Sequence, residues 1–263
     1  MSARYRTLEL ERRGPAAWLW LARPEARNAL DATMLAELAR ALGVLARDES
    51  VRVLVLGGRG SAFCAGGDLE RMAREGRASA ARNRAQAQQA ARLFRALDTF
   101  PKPTLARIHG PAVAGGLGLA CCCDVLVASD EASFALPEVR LGLLPAIVSP
   151  YLVRALGAHA LRRYLLSGER FSAQEALRLG MLHEKVPPEQ LDVTVERIVQ
   201  ALVAGAPGAL AEGKRLMARL QKPAREGALL AHCTEILARR RASDEAREGL
   251  AAALEKRKPR WAP

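Results

Sequence analysis

Two glycine-bearing turns, each at the end of a β-type run, constrain this chain more than any other feature. The run Val51–Leu56 leads into Ser61–Leu69, which contains Gly66 and Gly67. The run Thr104–Ile108 leads to Gly110 and then to Gly115, Gly116 and Gly118, within an apolar helix pattern over 115–122. A strand that breaks at glycines and resumes as a helix leaves main-chain N–H groups unpaired at the helix start, where negative charge can be held. Two such turns can aim one N–H each at a single carbonyl oxygen, as in an oxyanion hole.

Strand and helix patterns alternate around these turns. Tyr5–Glu11 and Ala16–Ala22 read as strands joined at Arg13-Gly14-Pro15, and Asp31 caps a helix running to about Arg47. A helix is expected over Arg77–Leu97, with Leu93, Phe94 and Leu97 on its apolar side, ending before Pro101 and Pro103. Strands at Val125–Ala128 and Ser133–Ala135 follow, then helices near 148–157, 158–166 and 172–179. Such alternation argues for an α/β core with parallel strands. From about Pro187 only helical patterns remain, near 188–204, 207–220, 224–241 and 243–256. The expected division is a core over residues 1–187 and a helical region over 188–263, suited to packing on the core or on another subunit.

The chain has 263 residues, half of them hydrophobic, enough for one sizeable core. Forty basic against twenty-eight acidic residues give a net charge of +12, which favours anionic partners without choosing among them. An RNA-binding face would need clustered bases interleaved with stacking aromatics, yet aromatics are 4% of the residues and the bases are spread along the chain. No stretch approaches the roughly 20 apolar residues of a membrane span. The start, Met1-Ser2-Ala3-Arg4-Tyr5-Arg6, leads into a charged strand, so a cytoplasmic protein is expected. Three of the five cysteines are consecutive (Cys121, Cys122, Cys123), and helix neighbours point about 100° apart, so buried thiols are expected. The four histidines show no metal-binding spacing, and no metal is implied.

The P-loop, the hydrolase elbow and the dinucleotide fingerprint all lack their signatures here. What remains is glycine turns and acids. Glu138, flanked by Pro137 and apolar residues, suits a partly desolvated carboxylate whose pKa is raised for proton transfer; the alternative is a surface Glu paired with Arg140. Asp68 reads as a helix cap, His109 as a residue that orders the second turn, and Cys64 as small and buried rather than nucleophilic.

The order of blocks Arg23–Leu30 (RPEARNAL), Ala62–Leu69 (AFCAGGDL), Lys102–Asp124, Phe134–Pro145 (FALPEVRLGLLP), Leu166–Val186 and Glu248–Trp261 resembles the enoyl-CoA hydratase/isomerase family, the crotonases, over nearly the whole chain. The resemblance implies an α/β fold, a crotonase-like spiral of ββα turns with a C-terminal helical oligomerisation region, assembled as a homotrimer or a dimer of trimers. It implies acyl-CoA thioester substrates and no further cofactor. Carried over position by position, Gly67 and Gly115 supply the oxyanion N–H groups and Glu138 is one of the two catalytic glutamates. Contacts to the CoA ester are implied for Ala26, Arg23, Arg27, Ala65, Gly66, Asp68 and Leu69, with Lys256 and Lys258 reaching a neighbouring subunit's ligand.

Two departures from the family pattern narrow the expectation. The second catalytic glutamate is replaced by Gly118, and the usual glycine-rich run after Glu138 is replaced by Pro145-Ala146-Ile147-Val148-Ser149-Pro150-Tyr151. Both resemble the branch that hydrates 3-methylglutaconyl-CoA or its isohexenyl homologue in leucine or acyclic terpene breakdown. Space left at Gly118 is expected to admit a branched or carboxylated acyl chain. A single acid equally suits a Δ3,Δ2-enoyl-CoA isomerase, and a general short-chain hydratase, an RNA-binding member of the same fold and a scaffold without catalysis complete the alternatives.

Overall fold

The structure is a computed structural model that describes residues 5–76, 78–221 and 226–262. The starts expected at Arg77 and at residue 224 for two helices therefore lie outside the described residues. The chain begins with strands β1 (Leu8–Arg13) and β2 (Ala16–Leu21), helix α1 (Ala32–Arg47) and strand β3 (Val53–Gly58). Helices α2 (Leu69–Gly76) and α3 (Ala80–Asp98) lead to β4 (Thr104–Ile108), β5 (Ala112–Val113) and α4 (Gly115–Cys121). Strands β6 (Val125–Ser129) and β7 (Ser133–Ala135) precede α5 (Ser149–Ser167), β8 (Arg170–Ser172), α6 (Ala173–Arg178) and β9 (Glu184–Val186). Helices α7 (Leu191–Val203), α8 (Pro207–Leu220), α9 (Glu226–Arg241) and α10 (Asp244–Leu254) complete the order. Gly157, at φ 75°, breaks α5 into the two helices that the sequence separates there.

The main sheet runs β1-β2-β3-β4-β6-β9, with β1 antiparallel to β2 and the other neighbours parallel. Alternate residues point to opposite faces of a strand, and both faces here are apolar. Leu19, Leu21, Leu54, Leu56, Ala106 and Ile108 join the core with α1, α3 and α4. Trp18, Trp20, Val53, Val55, Leu105 and Val127 meet Leu191, Val195, Val199 and Val203, one stripe of α7 at helical spacing. Thus α7, grouped with the tail on sequence, is a layer of the core. A second sheet, β5-β7-β8, was only partly legible: β5 and β8 are two and three residues long, as short as β9.

Caps fall where expected. The Asp31 carboxylate accepts the Met34 N–H at 2.7 Å at the start of α1, and Leu93, Phe94 and Leu97 form the buried side of α3. Cys64, Cys121, Cys122 and Cys123 are all buried free thiols. Among the described residues no helix is long and apolar enough to cross a membrane.

Candidate active site

Both glycine turns emerge where parallel strands end, the first after β3 and the second after β4, and the main chain joins them. Cys64 N–H donates to Pro111 O at 3.1 Å, and Val113 N–H donates to Cys64 O at 2.9 Å. Gly66 has φ +95°, and a methyl group there would lie 2.8 Å from Ala114 Cβ and 2.9 Å from Val113 O, so the contact between turns requires glycine. The Cys64 thiol donates to Asn28 O at 3.1 Å, and burial pushes its pKa up to about 12. It is an inert spacer between the turns.

The first turn is fixed from its other side by the loop before α1. Leu30 N–H donates to Gly66 O at 2.7 Å, and Asp68 N–H donates to Leu30 O at 3.3 Å. In this parallel bridge Leu30 pairs with the residues flanking Gly67, so the Gly67 N–H points away from Leu30. Gly115 is the first residue of α4, where a helix has no acceptor of its own for the N–H. Among the described residues neither N–H meets a main-chain acceptor. Ala114, just before Gly115, sits at φ 53°, ψ −122°, a costly conformation for a residue with a Cβ, and its N–H donates to Ala135 O at 2.9 Å. Strain is thus held at the residue that aims the Gly115 N–H.

Glu138 follows from the same connection. Strand β7 pairs with β5 in the register Val113↔Ala135, and the chain then turns through a short 3-10 helix, Pro137–Leu141. Proline suits the first position of such a turn because its missing N–H has no partner there anyway. Glu138 is 8% exposed, its Oε2 is buried with no hydrogen-bond partner, and burial raises its pKa. It does not pair with Arg140, whose guanidinium donates to Ser167 O at 3.3 Å. A desolvated, unpartnered carboxylate holds a proton more readily than one in water and can both take and return one.

His109 supports the second turn: its Nε2 donates to Gly60 O at 2.8 Å, and burial lowers its pKa, favouring the neutral ring. Asp68 is a helix cap, accepting the Arg71 N–H at 3.0 Å. Among the residues expected around CoA, Ala26, Arg27 and Ala65 meet at one rim, where Ala65 N–H donates to Arg27 O at 2.9 Å. Arg27 is exposed there, as is Leu69. Arg23 turns inward instead, donating to Ala29 O at 2.7 Å and lying 3.3 Å from Asp31 and 3.5 Å from Asp68. It ties the caps of α1 and α2 together. Lys256 and Lys258 follow α10 near Trp261, whose carbonyl accepts from Arg52 at 3.1 Å just before β3 begins. Within one copy Trp261 thus sits at the end of β3 opposite the first glycine turn.

One expectation is overturned. Gly118 does not border open space: a methyl group there would lie 2.7 Å from Val148 Cβ, closer still to Val148 Cγ1, and 3.3 Å from Phe94 Cε1. Val148 is 4% exposed and fills the volume that a side chain at 118 would need. Sequence reasoning also left Asn28 without a role. Fully buried at φ 57°, it donates to Arg59 O at 2.8 Å and Ala62 O at 2.9 Å and accepts the Arg23 N–H at 2.9 Å, pinning the first turn. The only signal available was an asparagine, a residue that tolerates the left-handed region, in a short loop.

Two free main-chain donors joined in one hydrogen-bonded unit with a single desolvated carboxylate define an acid–base site for carbon next to a carbonyl. The sequence pattern described as enoyl-CoA hydratase/isomerase matches residues 13–263. An enoyl-CoA hydratase from Shewanella pealeana, known from its crystal structure, superposes with a TM-score of 0.94 at 40% identity, covering 97% of this chain and 96% of its own. The 2,3-dehydroadipyl-CoA hydratase of Escherichia coli is 35% identical over 245 residues, 92% of each protein. The chain belongs to the enoyl-CoA hydratase/isomerase family and has the crotonase fold. It is an enzyme of the hydro-lyase class.

Proposed function

We propose that this enzyme hydrates a 2-enoyl-CoA thioester with Glu138 as its sole acid–base group, and that its acyl chain is of the branched glutaconyl type. The observation that carries the first part is the buried, unpartnered Glu138 Oε2 beside two glycine turns whose N–H groups are free. The thioester oxygen accepts from Gly67 and Gly115. Water adds its OH to C3 as ionised Glu138 takes one of its protons. Negative charge gathers on the thioester oxygen, where each fixed donor contributes roughly 3–4 kcal/mol. Glu138 then returns the proton to C2, so the carboxylate ends as it began. The reaction exchanges no electrons and needs no redox cofactor.

The acyl assignment is supported by the absence of a second glutamate at Gly118 and by Pro145–Tyr151 in place of the glycine-rich run. It draws further support from the name of the Escherichia coli relative, whose dehydroadipyl substrate also ends in a carboxylate. It no longer draws on an opening at Gly118. A carboxylate on the substrate can help hold the water that a second glutamate otherwise holds. The lone acid favours a second reading too, a Δ3,Δ2-isomerase in which Glu138 moves a proton between carbons.

Purified protein is to be assayed with crotonyl-, 3-methylglutaconyl- and 3-enoyl-CoA at the thioester-conjugation absorbance. Preferential loss of conjugation with 3-methylglutaconyl-CoA is expected. Equal or better use of crotonyl-CoA removes the branched assignment, and gain of conjugation from 3-enoyl-CoA alone makes the enzyme an isomerase. We also propose a trimer or a dimer of trimers, with Met217, Leu220, Leu237, Leu250 and Leu254, exposed on α8–α10, partly covered in it. A 28.4 kDa monomer in sedimentation at micromolar concentration overturns that assembly.

A further inference from the structure

The overturned expectation at Gly118 points to a residue with a role of its own. Gly115 and Gly118 are three residues apart on α4 and so share one face of that helix. The Phe94 ring spans them: a methyl group at 115 would lie 3.8 Å from Phe94 Cζ, and one at 118 would lie 3.3 Å from Cε1. The side of α4 on which Gly115 lies therefore continues, one turn on, into a wall made by Phe94 and Val148. Val148 also closes the loop that begins at Glu138. Leu143 N–H donates to Glu138 O at 2.9 Å, Val148 N–H donates to Pro145 O at 3.2 Å, and the Ser149 hydroxyl donates to Pro145 O at 2.9 Å. One short loop thus carries the acid at one end and the Val148 side chain at the other.

We propose that Val148 is a specificity-determining residue of the acyl site: its side chain keeps a carboxylate out of position 118 and sets the width of the wall that the acyl chain meets between Gly115 and Glu138. The proposal rests on the hydratase reading above. A side chain of β-branched shape has few rotamers, and Val148 is buried at the start of α5, so this wall is stiff. A methylene at such a wall changes discrimination between acyl chains by roughly 10–200-fold. Gly118 and Val148 then behave as one unit, in which either a large residue at 118 or one at 148 is accommodated, never both.

The test has three parts. The ratio of kcat/KM for 3-methylglutaconyl-CoA to that for crotonyl-CoA is measured in wild type, Val148→Ala and Val148→Ile. It is expected to rise about tenfold in the first variant and fall about tenfold in the second. Ratios within about twofold of wild type in both overturn the proposal. Gly118→Glu alone is expected to lose activity on both esters, and Gly118→Glu/Val148→Gly to regain at least about tenfold on crotonyl-CoA. Glycine is the compensating choice because an alanine would keep the Cβ 2.7 Å from the new side chain. A Gly118→Glu enzyme as active as wild type on both esters, or a double variant no better than the single one, contradicts the coupling.

Titrations with butyryl-CoA and 3-methylbutyryl-CoA, which cannot be hydrated, read the wall without turnover. Val148→Ala is expected to shift their affinity ratio about fivefold toward the branched ester. An unchanged ratio counts against Val148 even if hydration fails for every ester. A shifted ratio in an enzyme that hydrates none upholds Val148 and removes the hydratase reading.

Discussion

The two halves of this active site are built on opposite physical terms. The donor half is over-determined: Asn28, Leu30, Cys64, Val113 and Ala114 all hold the glycine turns through hydrogen bonds, and the strained Ala114 backbone is tolerated only because its neighbours fix it. The acid half is under-satisfied, with Glu138 buried and its Oε2 unpartnered. The difference follows from what each half must do. Donors that meet charge as it forms must not move, whereas a group that takes and returns a proton must not be stabilised in one state.

The largest expected effect breaks the acid half. Glu138→Gln keeps shape and burial but cannot exchange a proton, so kcat is expected to fall by about 10²–10⁴ while CoA-ester affinity stays within a few-fold. Retention of more than about a tenth of the wild-type kcat in a stopped-flow assay removes Glu138 from its role. Gly66→Ala attacks the donor half. Its Cβ would press on Ala114 and on Val113 O at a φ of +95°, so the turns separate and kcat is expected to fall about 10²-fold with a lower Tm. An unchanged kcat in a folded variant shows that the spacing of the two turns does not matter.

A pH profile sharpens the comparison. Burial raises the Glu138 pKa, and the ionised form is the base, so kcat/KM is expected to fall about tenfold per pH unit below that raised value. Stability runs the other way: a carboxyl with a raised folded pKa contributes stability below its unfolded pKa and loses it as pH rises through the folded one. Between the ordinary carboxylate value and the raised one, Glu138→Gln is therefore expected to lose the fall in Tm with rising pH that Glu138 contributes. The same profile in both proteins excludes Glu138 as the titrating group. The smallest effect is expected at Arg23. Arg23→Gln loosens the tie between the caps of α1 and α2, lowering stability by about 1 kcal/mol, or Tm by roughly 2–4 °C, with little change in KM. A KM rise of tenfold with an unchanged Tm makes Arg23 a ligand for CoA phosphate instead.

Legibility in the sequence follows the range of the interactions. The cap at Asp31, the buried stripe of α3 and the break at Gly157 depend on neighbours in the chain and could be read from it. The glycine turns were legible as turns, since each ends a β-type run, but their joining through Cys64 was not. Strands β5, β8 and β9 are too short for periodicity to show and exist through their partners. Pro137 and the apolar flanks marked Glu138 as a candidate, and only the family resemblance chose it over a surface Glu; Val148 left no local mark, because its contact with Gly118 spans thirty positions of chain. The partners of Arg23 were hidden for the same reason: charge is visible in a sequence, but the carboxylates that lie beside it are not.

The joined turns also bear on how activity appears as the chain folds. Asn28 reaches across 34 positions to Ala62 O, Cys64 across a longer loop to Ala112, and Ala114 across another to Ala135. Each closure costs chain entropy before any contact repays it, and contacts of such long range form late. Helices such as α1 and α3, held by local bonds, can form without them. Recovered turnover in a refolding experiment therefore reports the last closures of the chain, and it should lag behind the far-ultraviolet helix signal.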